Sequence, residues 1–126
     1  MNKIKIIGYF KNSNTNTTVK YNCWGKVYDN IIEFQNKEDL IKIEIQKNKI
    51  LFKRENKDIL LYYEFVLNNK SKNNIYRLKK ENIEIFLEIN TTKIKIEKNF
   101  LDIEFNMLEV DNSTCKYKLK LNYKVV

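Results

Sequence analysis

Alternation of apolar and polar residues is the feature of this chain that most constrains its fold. In residues 117–125 the odd positions are apolar or aromatic, and the even positions are lysine or asparagine. A period of two is typical of a β-strand that buries one face and exposes the other to water. Shorter stretches of the same kind recur from one end of the chain to the other, so the sequence predicts an all-β protein.

Composition supports the same fold class. The chain contains no alanine, the best helix former, and no proline. Isoleucine, tyrosine and phenylalanine are frequent, and all three favour strands. Because Gly8 and Gly25 are the two glycines among 126 residues, we expect asparagine, aspartate and lysine to make most turns. A chain of this length predicts a single domain covering residues 1–126.

Short polar segments separate the alternating stretches and predict how the strands connect. Residues 29–30 predict a two-residue hairpin turn, residues 90–92 a turn, and residues 111–114 a loop. Gly25 predicts a bulge or a sharp bend in the second strand. Residues 68–74 contain no apolar residue and predict the most mobile loop. The expected strands cover residues 4–10, 19–28, 31–35, 41–46, 49–54, 58–67, 75–78, 83–89, 94–96, 101–107 and 117–125.

These connections are too short for crossovers, so the sequence predicts an antiparallel meander. Closing the sheet would remove its exposed edges. We therefore expect a β-barrel of about 8–10 strands, whose interior is wide enough for side chains or for one small ligand.

The sequence argues against an enzyme. It has no histidine, which removes Ser-His and Cys-His nucleophile pairs and most zinc sites; we predict no metal and no cofactor. Glu84 and Glu88 would lie about 13 Å apart along an extended strand, too far for an acid/base pair on one sugar. Glu97, Asp102 and Glu104 could meet across a hairpin, but we expect solvated carboxylates that balance nearby lysines.

Six aromatic residues fall on positions that the alternation assigns to the barrel interior. Either they form an aromatic core, or they line a pocket, since tyrosines combine apolar walls with a hydroxyl at the tip. Arg54 shares a face with Ile50 and Phe52. It is a candidate anion anchor at the barrel mouth if that face is interior, and otherwise it ends a strand and reaches solvent. The candidate ligand-binding residues are Tyr21, Arg54, Tyr63, Phe65, Phe105, Tyr117 and Tyr123.

The net charge of +8 permits a second interpretation. A basic surface can be the footprint of nucleic-acid binding. However, 22 lysines stand beside two arginines, a balance that an AT-rich genome also produces, and the lysines alternate along strands rather than forming a run. We therefore rank nucleic acid below a ligand, with Lys116, Lys118 and Lys120 as its candidate contacts.

The expected location is the cytoplasm. The chain shows no apolar run of signal-peptide length at its start and no stretch long enough to span a membrane. Two cysteines are too few for a disulfide framework. We expect no membrane association from these features.

The order of elements resembles the YwiB-like family of small bacterial proteins. Residues 21–34, YNCWGKVYDNIIEF, resemble its aromatic-rich hairpin preceded by a glycine. Residues 41–54 resemble a strand, turn and strand that end in arginine, and residues 58–67 a long apolar strand. The resemblance covers residues 17–124 and implies a calycin-like, lipocalin-related barrel. It carries over no catalytic residues.

Lipocalin relatives often bind apolar ligands, so the resemblance adds weight to a pocket inside the barrel. The leading hypothesis is a protein that binds a small apolar or anionic ligand, or an accessory protein. The alternatives are a nucleic-acid-associated protein and a module that binds another protein.

Overall fold

A computed structural model describes residues 2–108 and 113–126 and confirms the all-β fold. Ten strands follow one another with short connections. They are β1 (Asn2–Asn12), β2 (Thr17–Tyr28), β3 (Ile31–Asn36), β4 (Asp39–Ile45), β5 (Ile50–Glu55), β6 (Ile59–Phe65), β7 (Lys70–Leu78), β8 (Ile83–Glu97), β9 (Phe100–Leu108) and β10 (Thr114–Val125).

The strands form a closed, antiparallel meander, as predicted. Each strand pairs with its neighbours in sequence, and the first strand also pairs with the last. Ile4 lies opposite Val125, and Asn12 lies opposite Tyr117. This pairing closes the sheet, so the first and last strands have no unpaired edge.

The barrel interior is the hydrophobic core. Leu61, Tyr63 and Phe65 alternate inward on β6, and the odd residues of β9 from Leu101 to Met107 do the same. The predicted strand over residues 58–67 is too long, because β6 ends at Phe65 and Leu67 is 43% exposed. The buried apolar residues are Ile4, Ile6, Tyr21, Ile32, Phe34, Ile41, Ile43, Ile50, Phe52, Leu61, Tyr63, Phe65, Ile89, Leu101, Ile103, Phe105, Met107, Leu119 and Leu121.

Asparagine, aspartate and lysine make the tight turns, as expected for a chain with two glycines. Every described residue in the left-handed region is one of these three types. Asp29, with φ of 52°, makes the predicted hairpin turn between β2 and β3. The full set is Asn16, Asp29, Lys37, Asn68, Asn82 and Asn99.

The predicted bulge or bend at Gly25 is wrong. Strand β2 continues through it, and Gly25 pairs with Ile4 on one side and Phe34 on the other. A Cβ atom at this position would lie 2.5 Å from the Glu33 carbonyl oxygen and 2.8 Å from the Phe34 Cβ. The glycine therefore serves close strand packing rather than a change of direction.

The loop predicted for residues 68–74 is also wrong over most of its length. Strand β7 begins at Lys70, and its pairing with β8 shifts register between Ser71 and Asn74. Both of these side chains are buried. The Asn74 side chain hydrogen-bonds to the backbone of Glu64 and of Leu87, so these polar residues belong to the sheet rather than to a loop.

Residues 90–92 do not form the predicted turn. They lie inside β8, whose pairing with β9 shifts register between Thr91 and Lys93. This register shift accommodates one extra residue of β8 as an irregularity in the strand pairing. The strand therefore continues to Glu97. Of the loop predicted for residues 111–114, residues 111–112 lie outside the described part of the chain.

Candidate functional site

The barrel interior brings together four of the predicted ligand-binding residues. Phe65 and Phe105 lie 4.7 Å apart between ring centroids, and Phe105 stacks on Tyr117 at 5.2 Å. Tyr63 contacts Phe105 at 6.1 Å. Phe10 and Phe52 complete this continuous set of rings. The rings pack against one another, which is the arrangement of an aromatic core.

A second group of predicted residues, linked by charge, contains Tyr21 and Arg54. Tyr21 is 3% exposed and packs edge-on against Phe34. Burial raises the pKa of Tyr21 to about 12; the Arg54 charge opposes that rise, and Asp39 adds to it. The Arg54 Nε lies 3.7 Å from the Asp39 Oδ2. The predicted anion anchor therefore already has a carboxylate beside it.

Tyr123 does not join either group. It is half-buried and packs against the edge of the core. Its backbone N–H donates a hydrogen bond of 3.0 Å to the Asn99 carbonyl oxygen.

Two of the three carboxylates considered for catalysis do meet, around a lysine. Lys93 Nζ donates a hydrogen bond of 3.0 Å to the Asp102 Oδ2 and lies 3.8 Å from a Glu104 oxygen. The hydrogen bond to Asp102 raises the pKa of Lys93. Glu97 instead pairs with Lys95 at 3.4 Å. In the described chain, no three His, Cys, Asp or Glu residues are grouped to hold a metal ion.

The positive charge of the chain is concentrated on three adjacent strands. Residues 1–28 and 113–126 contain nine lysines and no aspartate or glutamate. Residues 29–112 contain 15 basic and 16 acidic residues and are almost neutral. Strands β2, β1 and β10 lie in these two acid-free stretches and are neighbours in the barrel. The net charge of +8 therefore comes from one side of the molecule.

We call the outer side of these strands the basic face. Its residues alternate with buried ones such as Ile4, Ile6 and Leu119, and therefore point outward. They are Lys3, Lys5, Ile7, Tyr9 and Lys11 of β1, Thr18, Lys20, Asn22, Trp24 and Lys26 of β2, and Lys116, Lys118, Lys120, Asn122 and Lys124 of β10.

The register arranges the basic face in rows that cross the three strands. Tyr9 lies between Lys20 and Lys120. In the next row Ile7, 58% exposed, lies between Asn22 and Asn122.

The row beyond places Lys5 between Trp24 and Lys124. Successive rows are about 6.7 Å apart. An uncharged row thus lies between two lysine-bearing rows, and a groove of about 460 Å³ runs beside Ile7 and Tyr9.

Acidic residues reach the basic face from its borders. Lys26 lies 3.8 Å from Glu33 on β3, and Lys118 lies 4.0 Å from Glu104 on β9. Among the residues that the structure describes, these are the salt bridges made by the nine lysines. Exposed pairs at such distances contribute little, so the charge of the face is almost unneutralised.

Trp24 is the exposed aromatic residue of the basic face. Its side chain is 52% exposed. The ammonium groups of Lys3 and Lys5 each lie 4.8 Å from the centre of its ring. Exposed cation–π contacts of this kind contribute about 0.5–1 kcal/mol. A large, half-exposed π-surface therefore lies in contact with two cations.

Sequence reasoning missed this face. It noted Lys116, Lys118 and Lys120, which do lie there, but treated the lysines as scattered. The available signal was the complete absence of acidic residues from both ends of the chain. This absence of acidic residues produces one basic face only because β1 pairs with β10, which brings the two ends of the chain together in space.

An apolar row occupies another part of the wall. Phe86 on β8 is 67% exposed. It pairs with Ile75 on β7, and Ile75 in turn pairs with Tyr62 on β6. A protein-binding role, the third hypothesis, would use this row. Nothing in the chain identifies what would cover it.

The described residues include no helix that is long and apolar enough to span a membrane. No protein-family model matches the sequence, and no curated protein matches it. Among solved structures, the crystal structure of the ywiB protein from Bacillus subtilis is similar, with a TM-score of 0.61 and 9% sequence identity. The match covers 98% of this chain and 90% of that one. The chain therefore has the β-barrel fold of the Bacillus subtilis ywiB protein.

Proposed function

We propose that this protein binds nucleic acid through the basic face, with little sequence preference. The observation that carries the proposal is the segregation of charge: nine lysines and no acidic residue on three adjacent strands. A polyanion that contacts several of these lysines releases condensed counterions, and this release drives non-specific binding. A surface of this kind also speeds association by electrostatic steering.

The type of cation supports backbone contact rather than base reading. All nine basic residues of the face are lysines, which act as flexible point charges. Arginine, the residue that most often reads guanine through paired hydrogen bonds, is absent from the face. Contacts to phosphates position a nucleic acid but carry no sequence information.

Genome composition does not account for this arrangement. A bias toward AT-rich codons raises lysine and asparagine throughout a chain. It gives no reason for all 16 acidic residues to lie between residues 29 and 112. The bias explains the number of lysines but leaves the acid-free strands to be explained by function.

The earlier leading hypothesis, a ligand inside the barrel, becomes the second candidate. The contacts among Phe65, Phe105 and Tyr117 favour a filled interior. Asp39 lies 3.7 Å from the Arg54 Nε and offsets part of the positive charge that an anionic ligand would need. Three further expectations stay predictions: the cytoplasmic location, the calycin-like relationship and the absence of catalysis. A location in the cytoplasm would give the basic face access to nucleic acid.

Binding should be measured with a fluorescein-labelled oligothymidylate of about 15 nucleotides, within the site sizes known for single strands. We expect micromolar or tighter affinity at 50 mM salt. The logarithm of the dissociation constant should rise with the logarithm of the salt concentration with a slope of about 3, for four or five phosphate contacts at 0.7 each. A salt-independent affinity would contradict the proposal.

The face variant carries Lys11→Gln, Lys20→Gln and Lys120→Gln. It removes three lysines that surround Tyr9 on the basic face. We expect the affinity to fall about tenfold or more at 50 mM salt and the salt slope to fall by about 2.

The control variant carries Lys42→Gln, Lys53→Gln and Lys72→Gln. These exposed lysines lie on β4, β5 and β7, outside the basic face. The control removes the same charge. Equal losses of affinity in the two variants would show that binding depends on net charge and not on the basic face, and would contradict the proposal. Binding of phosphatidylserine vesicles without binding of the oligonucleotide would assign the face to a membrane surface instead.

A further inference from the structure

Trp24 stands out from the rest of the basic face because phosphate binding does not require it. It is the sole tryptophan of the chain and is 52% exposed. Trp24 lies on the outer side of β2 and is not part of the hydrophobic core cluster. Lysines lie in the same row as Trp24, and the adjacent row of the basic face carries uncharged polar groups.

We propose that Trp24 is a stacking platform for an unpaired base, so that the basic face prefers single-stranded to double-stranded nucleic acid. This inference rests on the proposed function. Bases of a single strand present their π-faces, and aromatic side chains bind them without regard to sequence. In a duplex these faces are covered by neighbouring base pairs.

The surroundings of Trp24 suit a nucleotide rather than an isolated aromatic group. Lys3 and Lys5 reach the ring through flexible side chains. A base that stacks on the ring can displace one ammonium group, which then lies beside the phosphate attached to that base. Lys124 lies on the far side of Lys5 and extends the path for the backbone.

The uncharged row next to Trp24 fits the same occupant. Asn22 and Asn122 flank Ile7 and offer amide groups that can donate and accept hydrogen bonds. Ile7 is 58% exposed and provides apolar contact. Bases would lie over this row while phosphates follow the lysines at its two sides.

The test uses the whole chain of 126 residues and two labelled probes of equal length and charge. One is oligothymidylate of about 15 nucleotides; the other is the same phosphodiester chain with abasic sites in place of the bases. We expect oligothymidylate to bind about fivefold or more tightly than the abasic chain. A duplex of the same length should bind less tightly than oligothymidylate, although it carries twice as many phosphates.

Trp24→Leu removes the ring but retains an apolar side chain. We expect it to abolish the difference between the two probes, because oligothymidylate loses a stacking contact that the abasic chain does not make. Phe86→Leu, which alters an exposed aromatic residue away from the basic face, should leave both affinities unchanged. Equal losses on both probes, or no loss on oligothymidylate, would overturn the stacking role of Trp24.

Fluorescence of the unmodified protein gives an independent readout, because Trp24 is its sole tryptophan. Stacking should quench this fluorescence with oligothymidylate but not with the abasic chain. Equal quenching by both chains would overturn the inference while leaving the proposed function intact. Failure of both chains to bind would overturn the proposed function, and the inference with it.

Discussion

At the scale of single residues, the interior sets the proton affinity of Tyr21. The ring is 3% exposed, and burial raises the pKa of its phenol from 10.0 to about 12. The folded state therefore holds this proton more tightly than the unfolded state does. The resulting stabilisation is fully present below pH 10 and is lost as the pH rises through about 12.

Replacing Tyr21 by phenylalanine removes this titration. We expect the free energy of unfolding of the unmodified protein to fall more steeply than that of Tyr21→Phe between pH 10 and 12. Urea denaturation at a series of pH values measures both slopes. If the free energies of unfolding of the two proteins differ by the same amount at every pH, the assigned pKa of Tyr21 is contradicted.

Gly8 is a second residue whose role is set by its surroundings. It lies opposite Leu121 in the pairing of β1 with β10. A Cβ atom at position 8 would lie 2.8 Å from the Leu121 Cδ2 and even closer to the Lys120 carbonyl oxygen. That oxygen belongs to the backbone of the closing strand and cannot move aside alone.

Gly8→Ala should therefore destabilise the fold by about 1–3 kcal/mol, the usual cost of overpacking. Asn22→Ala, on the exposed surface of the adjacent strand, is the control and should stay within about 0.5 kcal/mol. Chemical denaturation gives both values. Similar values for the two variants would show that β1 and β10 are not closely packed at position 8.

At the scale of elements, Asn74 holds the bulge of β7 in place. Its Oδ1 accepts a hydrogen bond of 2.7 Å from the Glu64 N–H. Its Nδ2 donates to the Ser71 carbonyl oxygen at 2.9 Å and to the Leu87 carbonyl oxygen at 3.0 Å. The side chain thus replaces ladder hydrogen bonds among three neighbouring strands.

Asn74→Ala would leave these buried backbone groups without partners. We expect a loss of about 1–3 kcal/mol or more, because each unsatisfied group carries its full desolvation cost. The adjacent Asn73 is exposed, so Asn73→Ala is a matched control with an expected change within about 0.5 kcal/mol. Equal thermal stability of the two variants would contradict the structural role of the bulge.

At the scale of the whole molecule, the basic face weakens the fold that carries it. Nine lysines on three adjacent strands repel one another, and salt bridges at the borders relieve little of this repulsion. Concentrated charge of one sign destabilises a compact state. Such a cost to stability is common where function depends on the destabilising residues.

The face variant, with Lys11, Lys20 and Lys120 changed to glutamine, should melt higher than the unmodified protein at low salt. We expect a rise of about 3–5 °C, for roughly 1 kcal/mol of relieved repulsion. The difference should disappear near 1 M salt, where the Debye length is about 3 Å. Calorimetry without any ligand measures this effect.

The control variant, with Lys42, Lys53 and Lys72 changed to glutamine, should show no such rise. Lys42 lies opposite Glu33, and Lys53 lies 3.6 Å from Glu55. Lys42 also lies opposite Lys53, so removing these lysines takes away one repulsion together with two attractions and leaves little net change. A higher melting temperature in this variant would contradict the separation of charge between the two sides of the barrel.

Strand identity was determined locally, so most of the fold could be predicted. Side chains on a strand alternate with a period of two whatever lies beside it, and this pattern located β6, β9 and the inward residues Leu119 and Leu121. Predictions failed at Gly25, Asn74 and Thr91. At each of these positions the residue serves a contact with a neighbouring strand, which a single strand's pattern does not contain.

The sequence by itself determined the all-β fold, the meander and the chemistry of the turns, because each depends on residues near one another in the chain. It also contained the acid-free stretches at both ends. Only the tertiary structure decided that these stretches form one surface, because closing the barrel places β10 beside β1, and Lys120 beside Tyr9. Strand pairing brings together residues more than 100 positions apart, and the spatial arrangement of their charges exists only after the barrel has closed.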